Sequence, residues 1–276
     1  MSNTATVLAF DFGASSGRAI RAVYDGQNLN YEEIHRFENI PIEKDGHLCW
    51  DVETLLKEIH TAIQKAGTFD SLGFDTWGVD FGLLDTDGHL LANPVHYRDA
   101  RTNGKPEQAA ARMPAEELYA HTGNQIMAIN TLFQLLALQE QEPELLQKAE
   151  QVLFMPDLFA ALLGAEPVCE RSIASTSQML DPRTGQWSRE VLAAYGLPEN
   201  HFASLVASGT VTGTLANGAK IIAVAGHDTQ CASAAMPCAE EDAEHTAFLS
   251  CGTWSLLGTE LDTPILTVDS CQSGLS

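Results

Sequence analysis

The chain has 276 residues, 45% of them hydrophobic, which is enough to bury the core of one large domain or two smaller ones and too many for a disordered chain. Asp and Glu outnumber Lys and Arg 37 to 15, for a net charge of -22, so nucleic acid and an anionic membrane surface are excluded as general partners. An acidic protein still binds an anionic nucleotide where backbone donors, a metal ion and a few placed cations reverse the local field.

Residues 7–10, Val-Leu-Ala-Phe, read as a buried strand that ends on Asp11, after which Gly13, Ala14, Ser15, Ser16 and Gly17 keep side chains short where the backbone turns. Residues 18–24 read as the returning strand. Such a tip exposes backbone N–H groups and hydroxyls that can hold phosphate oxygens, and Asp11 can reach a hydrated Mg²⁺. An ordinary Gly/Ser-rich β-turn fits the same residues. Neither common phosphate loop is present, because no Gly-x-x-x-x-Gly-Lys-Ser/Thr occurs and no helix opens after Gly17. Asp25-Gly26 supplies a turn and residues 29–37 alternate, giving three consecutive antiparallel strands. Asp51 caps a helix whose apolar face is Val52, Leu55, Leu56, Ile59 and Ile63 and whose end is Gly67.

Residues 71–85 read as a strand pair interrupted by polar and aromatic residues. Trp77 offers a flat apolar face to a sugar, Gly78 permits close backbone approach, and Asp75 and Asp80 can accept from hydroxyls. A core tryptophan flanked by turn aspartates fits equally. Arg98 and Arg101 either face the same site or pair with local acids. Helices follow over 106–113, 115–121, 131–141 and 144–150, divided by Pro114 and Pro143, then a strand at 152–155, a helix at 157–163 and a helix capped near Ser188. Six scattered cysteines lack zinc-ligand spacing and read as buried free thiols. The start lacks a basic region and a long apolar run, and the most apolar stretch, 152–165, falls short of the roughly 20 residues of a membrane span, so a cytoplasmic protein is expected.

Residues 220–226 form an apolar strand that presents His227 and Asp228 before a helix of small residues. Side chains at a strand's carboxyl end face the ligand crevice of an α/β sheet, and an Asp of ordinary pKa is ionised at neutral pH and can accept a hydroxyl proton. Asp228 could equally be a plain helix cap. Residues 246–258 repeat the opening pattern of apolar strand, small-residue turn and apolar strand.

Asp-Phe-Gly-Ala-Ser-Ser-Gly-Arg at 11–18 resembles the first phosphate-binding hairpin of the actin-like ATPases and sugar kinases, and its Gly-Ala-Ser-Ser-Gly-Arg form resembles the rhamnulokinase branch of the FGGY carbohydrate kinases. Asp-Thr-Trp-Gly-Val-Asp-Phe at 75–81, Gly-His-Asp-Thr at 226–229 and the hairpin at 246–258 resemble that branch in the same order, over nearly the whole chain. Gln134 and Ala137 stand where broader members carry Lys and Trp, a departure that suits the same branch. The resemblance implies an α/β ribonuclease-H-like (actin-like ATPase) fold, a mixed sheet with flanking helices. Residues 1–235 would form the sugar-binding domain and 236–276 the beginning of a second such domain. It implies transfer of the ATP γ-phosphoryl group to the 1-hydroxyl of L-rhamnulose with Mg²⁺. Asp228 would be the catalytic base; Gly78, His227 and Asp228 would hold the sugar; Ala14, Ser15, Ser16, Gly17, Arg18 and Thr253 would hold ATP; and Asp11 would serve the metal. A second domain this short implies a partial member whose sugar half is intact, whose catalysis is weak or absent, and whose last strands leave apolar edges. Another sugar kinase and a non-catalytic sugar-binding module are the alternatives.

Overall fold

In the computed structural model, which describes residues 4–239, 242, 245–251 and 255–276, the chain opens with the expected meander. Strand β1 (Ala5–Phe12) pairs antiparallel with β2 (Ser16–Tyr24), and β2 with β3 (Leu29–Glu38). Alternation drives this: Leu8, Phe10 and Phe12 point into the core, where Phe10 stacks on Phe74 at 4.9 Å and Phe12 on Phe159 at 4.8 Å. A small hairpin, β4 (Ile42–Lys44) with β5 (His47–Cys49), leads to helix α1 (Val52–Ala66). Asp51 caps α1 by accepting from Thr54 N, Gly67 ends it in a left-handed turn, and Val52, Leu55 and Ile59 are its buried stripe.

Strand β6 (Ser71–Thr76) lies parallel to β1 and in register with it. Both strands expected over 71–85 form, with the expected interruption between them, but they do not pair with each other. At Val79 the backbone takes a φ of 68°, which turns the chain out of the main sheet, and β7 (Phe81–Leu84) pairs instead with a strand from residues 151–154. Between them run α2 (Lys105–Ala109), α3 (Ala115–Thr122), α4 (Thr131–Gln141) and α5 (Pro143–Lys148), after which the partner strand is β8 (Gln151–Phe154). These helices and the β7–β8 pair share a second apolar core around Leu132, Phe133, Leu135 and Tyr195.

Helix α6 (Met155–Leu162) packs on β6, and the short β9 (Cys169–Glu170) runs directly into α7 (Arg171–Ser175). The pair β10 (Leu180–Asp181) and β11 (Gln186–Trp187) precedes α8 (Arg189–Tyr195), which Ser188 caps as expected by accepting from Val191 N. Beyond β12 (Leu205–Val206), β13 (Thr210–Thr214) and β14 (Lys220–Ala223) complete the six-stranded mixed sheet in the order β13-β14-β6-β1-β2-β3. Strand β13 escapes the sequence reading because Thr-Val-Thr-Gly-Thr carries little apolar alternation, as suits an outer strand.

Helix α9 (Asp228–Ala234) follows β14, and β15 (Ala247–Cys251) pairs with β16 (Ser255–Thr259) as a two-stranded hairpin. Leu249 faces Leu257 across it, 62% and 77% exposed, the apolar surface expected of these strands. Helix α10 (Val268–Gln272) reaches back to α3, where Gln272 Nε2 donates to Glu116. All six cysteines are free; only Cys49 and Cys169 are buried, while Cys238 and Cys251 are exposed, so burial is not their common feature. Among the described residues no helix is long and apolar enough to cross a membrane.

Candidate active site

Parallel pairing gathers three carboxylates at one end of the sheet. Asp11 on β1 and Asp75 on β6 are direct partners across parallel strands, which sets their backbones about 4.8 Å apart with both side chains on one face. From β14 the chain passes through residues 224–226 to His227, which bridges to Thr76, and α9 begins on Asp228. Burial pushes the Asp75 carboxyl up to about 8; the negative charges of Asp11 and Asp228 push the same way, and Arg18 opposes them. No described residue donates a hydrogen bond to Asp75. Asp11 is held by Arg18, whose Nε and Nη2 donate to its Oδ2 at 2.8 and 2.5 Å.

Asp228 is the most open of the three, with its side chain 45% exposed. Its Oδ1 accepts from Thr229 N at 2.6 Å and from Thr229 Oγ1 at 3.2 Å, and lies 3.3 Å from His227 Nε2. Among the described residues nothing donates to Oδ2, so one oxygen serves local order and the other is uncommitted. Burial pulls the His227 pKa down, so its imidazole is neutral at pH 7 and adds no positive charge.

The β1–β2 tip is a tight turn of short side chains. Gly13 N donates to Ser16 O at 2.9 Å, while Asn39, buried at the end of β3, donates from Nδ2 to Gly13 O at 2.9 Å and from N to Ser15 O at 3.0 Å. Among the described residues the amides of Ala14 and Ser15 and the hydroxyls of Ser15 and Ser16 have no acceptor. Gly17 is required for a packing reason as well: a Cβ there would sit 2.3 Å from the Phe37 ring. Thr253 lies outside the described residues.

At the next corner Gly78 is brought against His227, a Cβ at Gly78 falling 3.3 Å from His227 Nε2 and 3.1 Å from Thr176 Cγ2. Trp77 is a core residue and does not offer its face to a ligand. It is 6% exposed, packs on Trp50 at a centroid separation of 3.9 Å, and donates from Nε1 to Asp80 at 3.0 Å. Asp80 is buried too and accepts from Trp50 Nε1 (2.6 Å), Tyr97 N (3.1 Å) and Gln134 Nε2 (2.8 Å) as well, leaving nothing for a sugar hydroxyl. Burial raises it to about 6 against the pull of these donors. Arg101 Nη2 donates to Gln134 at 3.0 Å while its buried Nε has no partner among the described residues, and Arg98 lies over the Tyr97 ring at 5.3 Å.

Glu170 is the organising residue that sequence reading missed. Buried where β9 meets α7, it accepts through Oε2 from Ser172 N, Ser172 Oγ, Ile173 N and Gly226 N, and through Oε1 from Ser208 Oγ. It thus ties α7 and the approach to β13 to the residue immediately before His227 and Asp228. Asp157 on α6 supports it by accepting from Glu170 N at 3.2 Å, its own pKa driven up by burial. Only the pattern of an N-cap ahead of Ser172 was visible in the sequence.

The N-terminal-domain model of the FGGY family of carbohydrate kinases matches residues 6–234. The chain belongs to the FGGY family. It is 42% identical to a rhamnulokinase of Bacteroides thetaiotaomicron and 40% identical to one of Pectobacterium atrosepticum, over 95% and 94% of its own length. It spans 56% and 53% of theirs, about half the length of the curated relatives it matches. Among solved structures, a carbohydrate kinase from Novosphingobium aromaticivorans superposes with a TM-score of 0.77 at 23% identity, covering 97% of this chain and 58% of that one. A gluconate kinase from Lactobacillus acidophilus superposes with a TM-score of 0.71 at 17% identity, covering 80% and 48%. The mixed sheet with flanking helices is thus the FGGY kinase fold, that of the actin-like ATPases.

Proposed function

We propose that this FGGY chain is the sugar-binding part of an ATP-dependent kinase that phosphorylates the 1-hydroxyl of L-rhamnulose, with residues 1–235 as the sugar domain and 236–276 as the beginning of the C-terminal one. The observation that carries the reading is the meeting of Asp11, Asp75 and Asp228 at one sheet end, beside a hairpin whose amides at Ala14 and Ser15 are uncommitted. The likeness to two rhamnulokinases supports the choice of sugar.

In this mechanism Asp228 orients the sugar hydroxyl and takes its proton on Oδ2 as the oxygen bonds to the γ-phosphorus and the bond to ADP breaks. Gly78 and neutral His227 hold the sugar. Ala14, Ser15, Ser16, Gly17 and Arg18 hold phosphate oxygens, with Thr253 in the same role. Carboxylate oxygens are the ligands Mg²⁺ takes, and Asp11, beside the hairpin tip and the register partner of Asp75, is the residue that would face the ion. The ion supplies charge neutralisation on the phosphates. Most of the acceleration comes from positioning, because the transition state is loose. A soluble cytoplasmic setting suits this substrate pair.

The test is ADP release from MgATP with L-rhamnulose, wild type beside Asp228→Asn. Sugar-dependent turnover that falls at least ~100-fold in the variant supports the reading, within the range general bases contribute. Sugar binding without ADP release in either protein would select the alternative of a non-catalytic sugar-binding module.

A further inference from the structure

Residues 78–80 form a γ-turn of the strained sense: Asp80 N donates to Gly78 O at 2.9 Å around Val79, whose φ is 68°. A β-branched residue strongly disfavours that region, so the turn persists only where its surroundings over-determine it. They do so on both sides of the peptide. Thr131 Oγ1, at the start of α4, donates to Val79 O at 2.6 Å. Thr176 Oγ1, just past α7, accepts from Val79 N at 3.0 Å while donating its own hydrogen to Ile173 O at 2.7 Å, so its lone pair is aimed at the amide. The Asp80 side chain is fixed by Trp50, Trp77 and Gln134.

The strained turn has a consequence at the site. It brings Gly78 against the His227 side chain and the Thr176 methyl, where a Cβ would lie 3.3 Å from Nε2 and 3.1 Å from Cγ2. Relaxing Val79 to a negative φ would reverse the sense of the turn and swing Gly78 away from His227.

We propose that Thr176 is a positioning residue for sugar recognition: its hydroxyl locks the Gly78–Val79–Asp80 turn in the left-handed form that sets Gly78 beside His227. The role rests on the sugar-binding reading given above. Thr176 sits on a segment that shares neither strand with the residues it positions, and acts through Val79 without needing to touch the ligand.

The experiment is calorimetric titration of the chain with L-rhamnulose, with thermal unfolding of the same variants as a second readout. Thr176→Val keeps the shape and strips the acceptor from a buried amide, and is expected to weaken sugar binding ~10-fold or more, while Thr176→Ser, which keeps the hydroxyl, stays within about threefold. Glycine adopts positive φ without steric cost, so in a Val79→Gly background the penalty of Thr176→Val shrinks to about threefold or less, a coupling that a double-mutant cycle measures. Wild-type affinity in Thr176→Val, or the same penalty in both backgrounds, overturns the proposal. If the unaltered chain binds no sugar, the proposal falls together with the reading it rests on. Thermal coupling between positions 176 and 79 then shows that the turn is pinned for another purpose, and its absence shows that the pin itself is wrong.

Discussion

Replacing Glu170 tests whether one buried carboxylate holds the catalytic corner together. Its two oxygens accept five hydrogen bonds: Ser172 N at 2.9 Å, Ser172 Oγ at 2.6 Å, Ile173 N at 3.2 Å, Gly226 N at 3.1 Å and Ser208 Oγ at 2.7 Å. In Glu170→Ala the two hydroxyls can turn to other acceptors, but the three amides cannot. Stranded buried donors cost about 1–3 kcal/mol each, and relief of the carboxylate's own desolvation offsets part of that, leaving a net loss of about 3–5 kcal/mol. Glu170→Gln keeps the volume and one acceptor oxygen, yet turns an NH₂ toward donors, for about 2–3 kcal/mol. Urea unfolding followed by circular dichroism gives both values, and at about 2–4 °C per kcal/mol the alanine variant should melt roughly 6–20 °C lower. A loss below about 1 kcal/mol in Glu170→Ala, or a larger loss in Gln than in Ala, would refute the reasoning, because it would mean that these amides find other partners or water.

Asp80 makes stability depend on pH. Its folded pKa is raised from 3.8 to about 6, so the folded state holds the proton more tightly; the stabilisation is full below about pH 4, declines as pH rises to about 6, and is flat above. The size is about 3 kcal/mol, and the indoles of Trp50 and Trp77 that donate to this carboxyl should report the titration as a fluorescence change centred near pH 6. A featureless signal between pH 5 and 7 would sink it. Gly17→Ala places a methyl 2.3 Å from the Phe37 ring and should destabilise the chain by about 1–3 kcal/mol, with Phe37→Leu recovering part of that loss in denaturant unfolding. No recovery would place the clash elsewhere.

What could be read from the sequence followed how local the physics is. The β1–β3 meander and α1 are set by alternation, a capping Asp51 and a terminal Gly67, all within a few residues of one another. The interruption between β6 and β7 was legible, but the departure of β7 from the main sheet was not, because it rests on a left-handed valine, the residue type least expected there, pinned by threonines 52 and 97 positions away. Trp77 could be read two ways, and its partner Trp50 decides the matter from across the core. Asp228 and His227 were legible as a strand-end pair, whereas the grouping of Asp75 with Asp11 required a parallel register spanning 64 residues. Glu170 gave no signal beyond a local cap ahead of Ser172, since its partners at 208 and 226 are joined to it only by folding.

The three site carboxylates divide their work by exposure. Asp75 is enclosed and shifted to about 8, chiefly by burial, so at neutral pH it mostly keeps its proton and adds little negative charge to the corner. Arg18 pairs with Asp11 beside the β1–β2 tip, whereas Arg98 lies over the Tyr97 ring and Arg101 donates to Gln134. For the proposed nucleotide, a divalent ion, Arg18 and the uncommitted amides of the β1–β2 tip would supply the local positive field in a chain of net charge -22. Asp228 is open to solvent on one side, with Oδ1 tied to Thr229 and Oδ2 uncommitted, which leaves one oxygen free to accept from a hydroxyl in the proposed reaction.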